Sequence, residues 1–362
     1  MTIRVIQWAT GGVGRAAIQG IVDHPELELV GCWVHSDAKV GRDAGEIAEA
    51  GRLGIEASQD VDALLKLDAD CVLYSPVIAN PKEVAAILRS GKNVVTPLGW
   101  FYPFTREGVA ARGAAELEAA CQEGNATLHG TGIHPGGITE RFPIMLSALC
   151  RAITHVRAEE WSDIRTYGAP QIVGDVMLVG KTPEEAAASP MIRMLGAGFT
   201  QSLDMVAAAL GVRLEEEKRT RHEVSVATRP INSPIGPIEP GRVAAQRFTW
   251  EGTVDGEPFV TARTNWFMGD EHLDPPWSFG PEGVRFEVEI TGDPGVKTTF
   301  HGLHPTSVES GLERNTGVVA TAFHCVSAIP ATVAAEPGIR SYLDLPAYGG
   351  KAAPHLLEVR AS

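Results

Sequence analysis

The first 130 residues alternate short apolar runs with stretches whose apolar positions recur every three and four residues. That alternation admits little besides βαβ units, a parallel sheet wrapped by helices. Strands are predicted at Arg4–Ala9, Leu27–His35, Asp70–Ser75, Asn93–Thr96 and Thr127–Gly130. Lys82–Ser90 and the alanine-rich Arg106–Glu123 are the clearest helices between them.

After Pro135 the pattern changes to longer alternating segments and paired turns. Val243–Val254 and Pro258–Met268 flank Asp255-Gly256, a dipeptide suited to a tight hairpin. Arg285–Thr291 and Val296–His301 form a further pair, and Pro183–Ala188 and Phe199–Leu210 read as helices over the resulting antiparallel sheet. Gly317–Ala335 returns to helical spacing and stops at Glu336-Pro337-Gly338. The fold class expected is α/β: a Rossmann domain over residues 1–135, joined by the segment from about 315 to 362, and an α+β substrate-binding and dimerisation domain over 136–314.

A glycine-rich turn joins the first strand to the first helix in Ala9-Thr10-Gly11-Gly12-Val13-Gly14-Arg15-Ala16-Ala17. Such a turn exposes backbone N–H groups at the positive end of a helix dipole, where a pyrophosphate settles. Thr10, Gly11, Gly12, Val13 and Gly14 are therefore the candidate phosphate cradle, with Gly11 making the turn, Gly14 letting the phosphate approach and Ala17 in the third glycine's place. The second strand ends in His35-Ser36-Asp37-Ala38-Lys39 without an acid at its tip. Ser36, Lys39 and Arg42 suit a 2′-phosphate, so NADP(H) is preferred and NAD(H) stays open through Asp37. Ser75, Pro76, Thr131 and Gly132, at the ends of later strands, complete the predicted cofactor contacts.

Several function classes recede on composition. A formal charge of −14 without a basic run speaks against nucleic acid. The five cysteines form no CxxC pair, and Asp270, Glu271, His272 and Asp274 match no ligand spacing, so no metal is expected. No stretch reads as a membrane span of roughly 20 apolar residues and no leader is visible, which sets the expectation of a cytoplasmic protein without a membrane partner.

The motifs Thr10-Gly11-Gly12-Val13-Gly14, Val40-Gly41-Arg42-Asp43-Ala44-Gly45-Glu46, Gly91-Lys92-Asn93-Val94-Val95-Thr96 and Gly130-Thr131-Gly132-Ile133-His134-Pro135-Gly136 together resemble the dihydrodipicolinate-reductase-like superfamily. The likeness is to its branch of 2,4-diaminopentanoate dehydrogenase and the native amine dehydrogenases. The resemblance implies reduction of imines or deamination of amines with a nicotinamide cofactor, in a homodimer. It places the Gly130–Gly136 segment beside the nicotinamide. Two departures matter: there is no adjacent histidine pair of the lysine-pathway reductases, and the stretch Thr96-Pro97-Leu98-Gly99-Trp100-Phe101-Tyr102-Pro103 keeps Tyr-Pro but lacks the glutamate the amine dehydrogenases carry there.

Candidate chemistry then falls on His134 and Tyr102 as proton donors, and on Glu159 or Asp163, which alternation places with Trp161 on one strand face and opposite Glu160, as substitutes for the missing acid. Trp100, Phe101, Tyr102, Tyr167 and Trp266 are the predicted walls of a pocket for a small hydrophobic substrate, set between the loops at 100–102 and 131–136 and the sheet domain. Two alternatives stand on the same fold: a carbonyl or alkene reductase, and a non-catalytic sensor of NADP(H).

Overall fold

In the computed structural model, which describes residues 2–105 and 108–357, the chain divides into two compact units, residues 2–136 with 318–357 and residues 137–317. Unit 1 opens with β1 (Ile3–Trp8), β2 (Leu27–Trp33), β3 (Ala57–Ser58), β4 (Cys71–Tyr74), β5 (Asn93–Thr96) and β6 (Thr127–Gly130). With a short strand at Gly338–Ile339 they form one parallel sheet in the order Gly338–Ile339, β6, β5, β4, β1, β2, β3. The order reverses at β1, and in doubly wound sheets ligands bind outside the carboxyl ends of the strands at such a reversal.

Both sheet faces are covered, which is why the strands read as near-continuous apolar runs. Ile18, Ile21, Cys325 and Ile329 belong to the core on one side, and Val84, Ile87, Leu117 and Cys121 to the core on the other. Local signals place the helices: Asn80 caps Pro81–Arg89 by accepting from the Lys82 N–H, and Pro81 supplies a preset φ in the first turn. The Val40–Glu46 motif is a structural turn. Asp43 accepts from the N–H groups of Gly45, Glu46, Leu53 and Gly54, and the Leu53 bond leads in holding its carboxyl below the usual range. Of the predicted Arg106–Glu123 helix, Gly108–Gly124 is described, and Arg106 lies outside the described residues.

The C-terminal helix Thr316–Val333 corrects one expectation. With a mean hydropathy of 1.4 it is long and apolar enough, by length and composition, to cross a membrane. It nonetheless contributes Ala322, Cys325, Val326, Ala328 and Ile329 to the unit 1 core.

Unit 2 holds β7 (Arg151–Asp163), β8 (Arg219–Ala227), β9 (Val243–Val254), β10 (Glu257–Phe267), β11 (Leu273–Asp274), β12 (Arg285–Asp293) and β13 (Val296–Phe300). Their order is β11, β8, β9, β10, β7, β12, β13, antiparallel except where β10 and β7 run parallel. Asp255 and Gly256 take φ of 50° and 79° in the β9–β10 hairpin, the positive values that such a turn requires. The helix Met191–Ala209 packs on one face, where Phe199 stacks on Trp250 with ring centroids 4.2 Å apart.

Candidate active site

The helix Gly12–Asp23 begins directly after β1, with Gly11 at its N-cap and no acidic residue in its first turn. Its unpaired N–H groups and dipole make an anion site. A Cβ on Gly11 would meet nothing within 4 Å, so the turn is open to a diphosphate there. A Cβ on Gly14 would lie 2.0 Å from the Ala9 carbonyl oxygen and 3.0 Å from Gln7 Nε2. Gly14 therefore serves close packing of helix on strand. The turn departs from the sequence expectation: Ala9 holds φ 77°, Gly11 has open space at its Cβ position, and Gly14 rather than Ala17 takes the tight packing place.

Lys39 reaches back to this loop. Its ammonium donates to the Thr10 carbonyl at 2.9 Å and to Thr10 Oγ1 at 3.1 Å, and burial, then the Arg15 charge, lowers its pKa. Ser36 and Arg42 are exposed near the end of β2. Asp37 accepts from Gln59 Nε2 at 3.0 Å. Ser75, at the end of β4, is buried and accepts from Gln7 Nε2 at 2.9 Å, with Pro76 half-buried after it.

On the β4–β6 side, the loops after β5 and β6 meet. A Cβ on Gly130 would stand 2.2 Å from the Gly99 oxygen and 2.8 Å from Trp100 C, so only glycine lets the aromatic loop lie against β6. Phe101 is buried, Trp100 packs on the core at φ 57°, and Tyr102 meets Phe104 edge-on at 5.2 Å. Gly132 and Gly136 close the loop that carries half-buried His134, and a Cβ on Gly136 would be 2.1 Å from the Gly132 carbonyl.

Thr131 anchors a polar cluster that sequence reading missed. His324 Nδ1 lies 2.9 Å from its hydroxyl, Tyr342 OH is in short contact with it, and Tyr348 OH is 3.4 Å away. His129 Nδ1 faces the Arg340 carbonyl at 2.7 Å and so carries the proton, which leaves Nε2 to accept from Tyr348 OH at 3.2 Å. The partners lie some 200 residues from Thr131, and the only local signal was the return of a helical pattern near the chain end.

In unit 2 the structure places Glu159 and Asp163 in arginine pairs. Glu159, fully buried, is bonded by Arg157 and by Asn265 Nδ2 at 2.9 Å, with Arg263 at 3.4 Å. Asp163 accepts from Arg165 Nε at 2.9 Å and caps the short helical turn after β7. Glu160 lies on the opposite face, where the Trp266 indole N–H donates to it at 3.2 Å. Tyr167 is near enough that burial and then the Glu160 charge push its phenol up to about 12.

A profile of the 2,4-diaminopentanoate dehydrogenase C-terminal domain matches residues 138–353. The chain is also 32% identical to an amine dehydrogenase of Streptomyces virginiae over 361 residues, covering 95% of this chain and 96% of that one. It belongs to this amine and diaminopentanoate dehydrogenase family. A 2,4-diaminopentanoate dehydrogenase of Acetoanaerobium sticklandii is 26% identical over 251 residues, 68% of this chain and 64% of the relative. The structure of the amine dehydrogenase from Mycobacterium smegmatis shares the fold, with a TM-score of 0.77 at 22% identity over 98% of each chain. As a member of the family the chain is an NAD(P)-dependent oxidoreductase with a small-molecule substrate.

Proposed function

We propose that this dehydrogenase uses NADP(H) and interconverts a small hydrophobic amine with its carbonyl compound. The observation that carries the reading is the Gly11 turn, open at its Cβ position, free of acid, and followed by a helix N-terminus. Gly11, Gly12 and Val13 would hold the diphosphate, and Ser36 and Arg42, with Lys39 bracing the loop through Thr10, would hold a 2′-phosphate. The nicotinamide, when bound, supplies or accepts a hydride. Thr131 and Gly132 sit at the carboxyl end of β6, and the hydrogen bonds of His324 and Tyr348 fix the Thr131 hydroxyl. Support for the amine comes from the name of the Streptomyces relative. The resemblance also supports a homodimer, which light scattering during gel filtration tests.

Titration with NADPH and NADH should show saturable binding that favours NADPH. Gly11→Asp fits sterically but puts a carboxylate where the diphosphate goes, and should weaken NADPH binding at least 100-fold, about 2.7 kcal/mol. Unchanged affinity would refute the assignment. One observation favours a second reading: residues 97–103 hold no carboxylate, which suits a neutral carbonyl substrate. NADPH consumption with ketones that requires ammonia supports amination, and consumption without ammonia supports carbonyl reduction. Turnover of either kind excludes a mere sensor.

A further inference from the structure

The strand β1 reads Ile3-Arg4-Val5-Ile6-Gln7-Trp8, and the Gln7 amide in it is fully buried. In the parallel register Gln7 stands between Leu73 of β4 and Cys32 of β2, both core residues of unit 1. An amide in such a place costs free energy unless it is hydrogen-bonded. Gln7 Nε2 donates to the Ala9 carbonyl at 2.9 Å and to Ser75 Oγ at 2.9 Å, with the Trp8 carbonyl at 3.3 Å. Two of these acceptors are carbonyls, so the amide nitrogen, and not its oxygen, must face them. Oε1 has no hydrogen-bond partner among the described residues, so the side chain is held by its donor end.

That donor end serves one place, the turn between β1 and the helix Gly12–Asp23. Ala9 holds φ 77° there, a left-handed conformation that an L residue keeps only where its surroundings fix it. Three successive carbonyls of the turn are tied down. Ala9 accepts from Gln7, Trp8 accepts from the Ser75 N–H at 3.0 Å and from Ser75 Oγ at 3.3 Å, and Thr10 accepts from Lys39 at 2.9 Å. The helix that follows starts with N–H groups that have no intrahelical partner. Gly14 completes the arrangement, because a Cβ there would stand 3.0 Å from Gln7 Nε2 as well as 2.0 Å from the Ala9 oxygen.

We propose that Gln7 is a positioning residue for the cofactor: through Ala9 and Ser75 it fixes the turn, before any ligand arrives, in the shape that presents the Gly11–Val13 N–H groups to a diphosphate. The inference rests on the dinucleotide-binding reading above. A turn already held in its binding shape loses little conformational freedom on binding, which adds affinity without adding a contact. Gln7 is buried and acts through its neighbours, with no contact to the cofactor required.

The test measures NADPH and NADH Kd on the full-length protein, well below the Tm of each variant so that the folded fraction does not enter. Gln7→Met keeps the side chain's length and removes its donor, and it should weaken binding of the preferred cofactor by about fivefold or more. A smaller change overturns the proposal. Adding Ala9→Gly separates positioning from packing, since glycine takes φ 77° without steric cost but fills no space that Gln7→Met leaves. The double variant should bind about threefold or more tighter than Gln7→Met alone. No recovery means that Gln7 acts only as core packing, and the proposal falls. Should Gln7→Met fail to fold alone, Ala9→Gly with and without it decides: Kd values within about threefold support the proposal, and a wider gap overturns it. The two readings fail differently. Wild type without saturable binding of either cofactor sinks the dinucleotide reading, whereas binding that ignores Gln7 sinks this inference alone.

Discussion

Glu159 and Glu160 are neighbours on β7, yet the two faces of the unit 2 sheet treat them differently. On the Glu159 face, acids and bases are matched along and across strands. Arg157 bonds Glu159 and Glu289, Arg285 donates to Glu287 at 2.7 Å, Lys297 adds a contact at 3.3 Å, and Arg285 lies 4.8 Å over the Trp161 ring. On the Glu160 face the rows are largely aromatic and aliphatic, and Thr264 Oγ1 has no hydrogen-bond partner among the described residues. Burial alone therefore does not mark a functional acid, since Glu159 is the more buried of the two. What distinguishes Glu159 is its set of donors, for Arg157, Asn265 and Arg263 all reach its carboxylate. A buried acid held by several donors at once reads as structural.

The sharpest way to break that contrast is Glu159→Ala. Removing one partner of a buried ion network strands the others, so Arg157, Arg263 and Asn265 would lose a shared acceptor. The expected loss is about 3–5 kcal/mol in urea unfolding, with the kcat of the remaining folded enzyme little changed. A variant of normal stability but without activity would show that Glu159 serves the chemistry rather than the fold.

A pH experiment probes the same network more gently. Burial raises the Glu287 pKa, but the hydrogen bond and charge of Arg285, with help from Lys297, outweigh it and leave the carboxyl below its ordinary value of 4.5. A group depressed in the folded state contributes stability above its unfolded pKa and loses it as pH falls through the folded value. Stability should therefore drop below about pH 4.5, and Glu287→Gln should flatten that part of the curve while lowering the plateau at neutral pH. An acid limb identical in the variant would show that Glu287 is not coupled to its arginine.

How much of this was legible beforehand depends on range. Alternation along β7 placed Glu159 and Glu160 on opposite faces, because a strand's period of two is local. Nothing local shows that Glu159 meets Arg263 and Asn265 from β10, over 100 residues later, or that Thr131 meets Tyr342 and Tyr348. The glycine-rich turn after β1 was recognisable, but its register was not, since an alanine holding φ 77° at Ala9 is dictated by the surrounding fold. The edge strands Ala57–Ser58 and Gly338–Ile339 are two residues each, too short for any period. The β8 strand opens Arg219-Thr220-Arg221-His222-Glu223, whose charges hide the alternation.

The smallest effect expected is also the one with the least usual sign. Thr264→Val exchanges a buried hydroxyl without a partner for a methyl group, on a face already built from Phe248, Ala262 and Phe286. Replacing a bonded threonine this way would cost stability, because its partner would be stranded. Among the described residues the Thr264 hydroxyl has no partner to strand, and its own desolvation penalty is relieved, so the protein should be unchanged or stabilised by up to about 1 kcal/mol. The same exchange for Thr249, on the matched face and 3.2 Å from Arg263 Nε, should instead destabilise by about 1 kcal/mol. Equal and opposite shifts in Tm for two valine substitutions on adjacent strands would show that satisfaction, rather than burial or residue type, divides the faces. Destabilisation by both would mean that Thr264 has a partner in solution, and the distinction drawn between the faces would fail at that row.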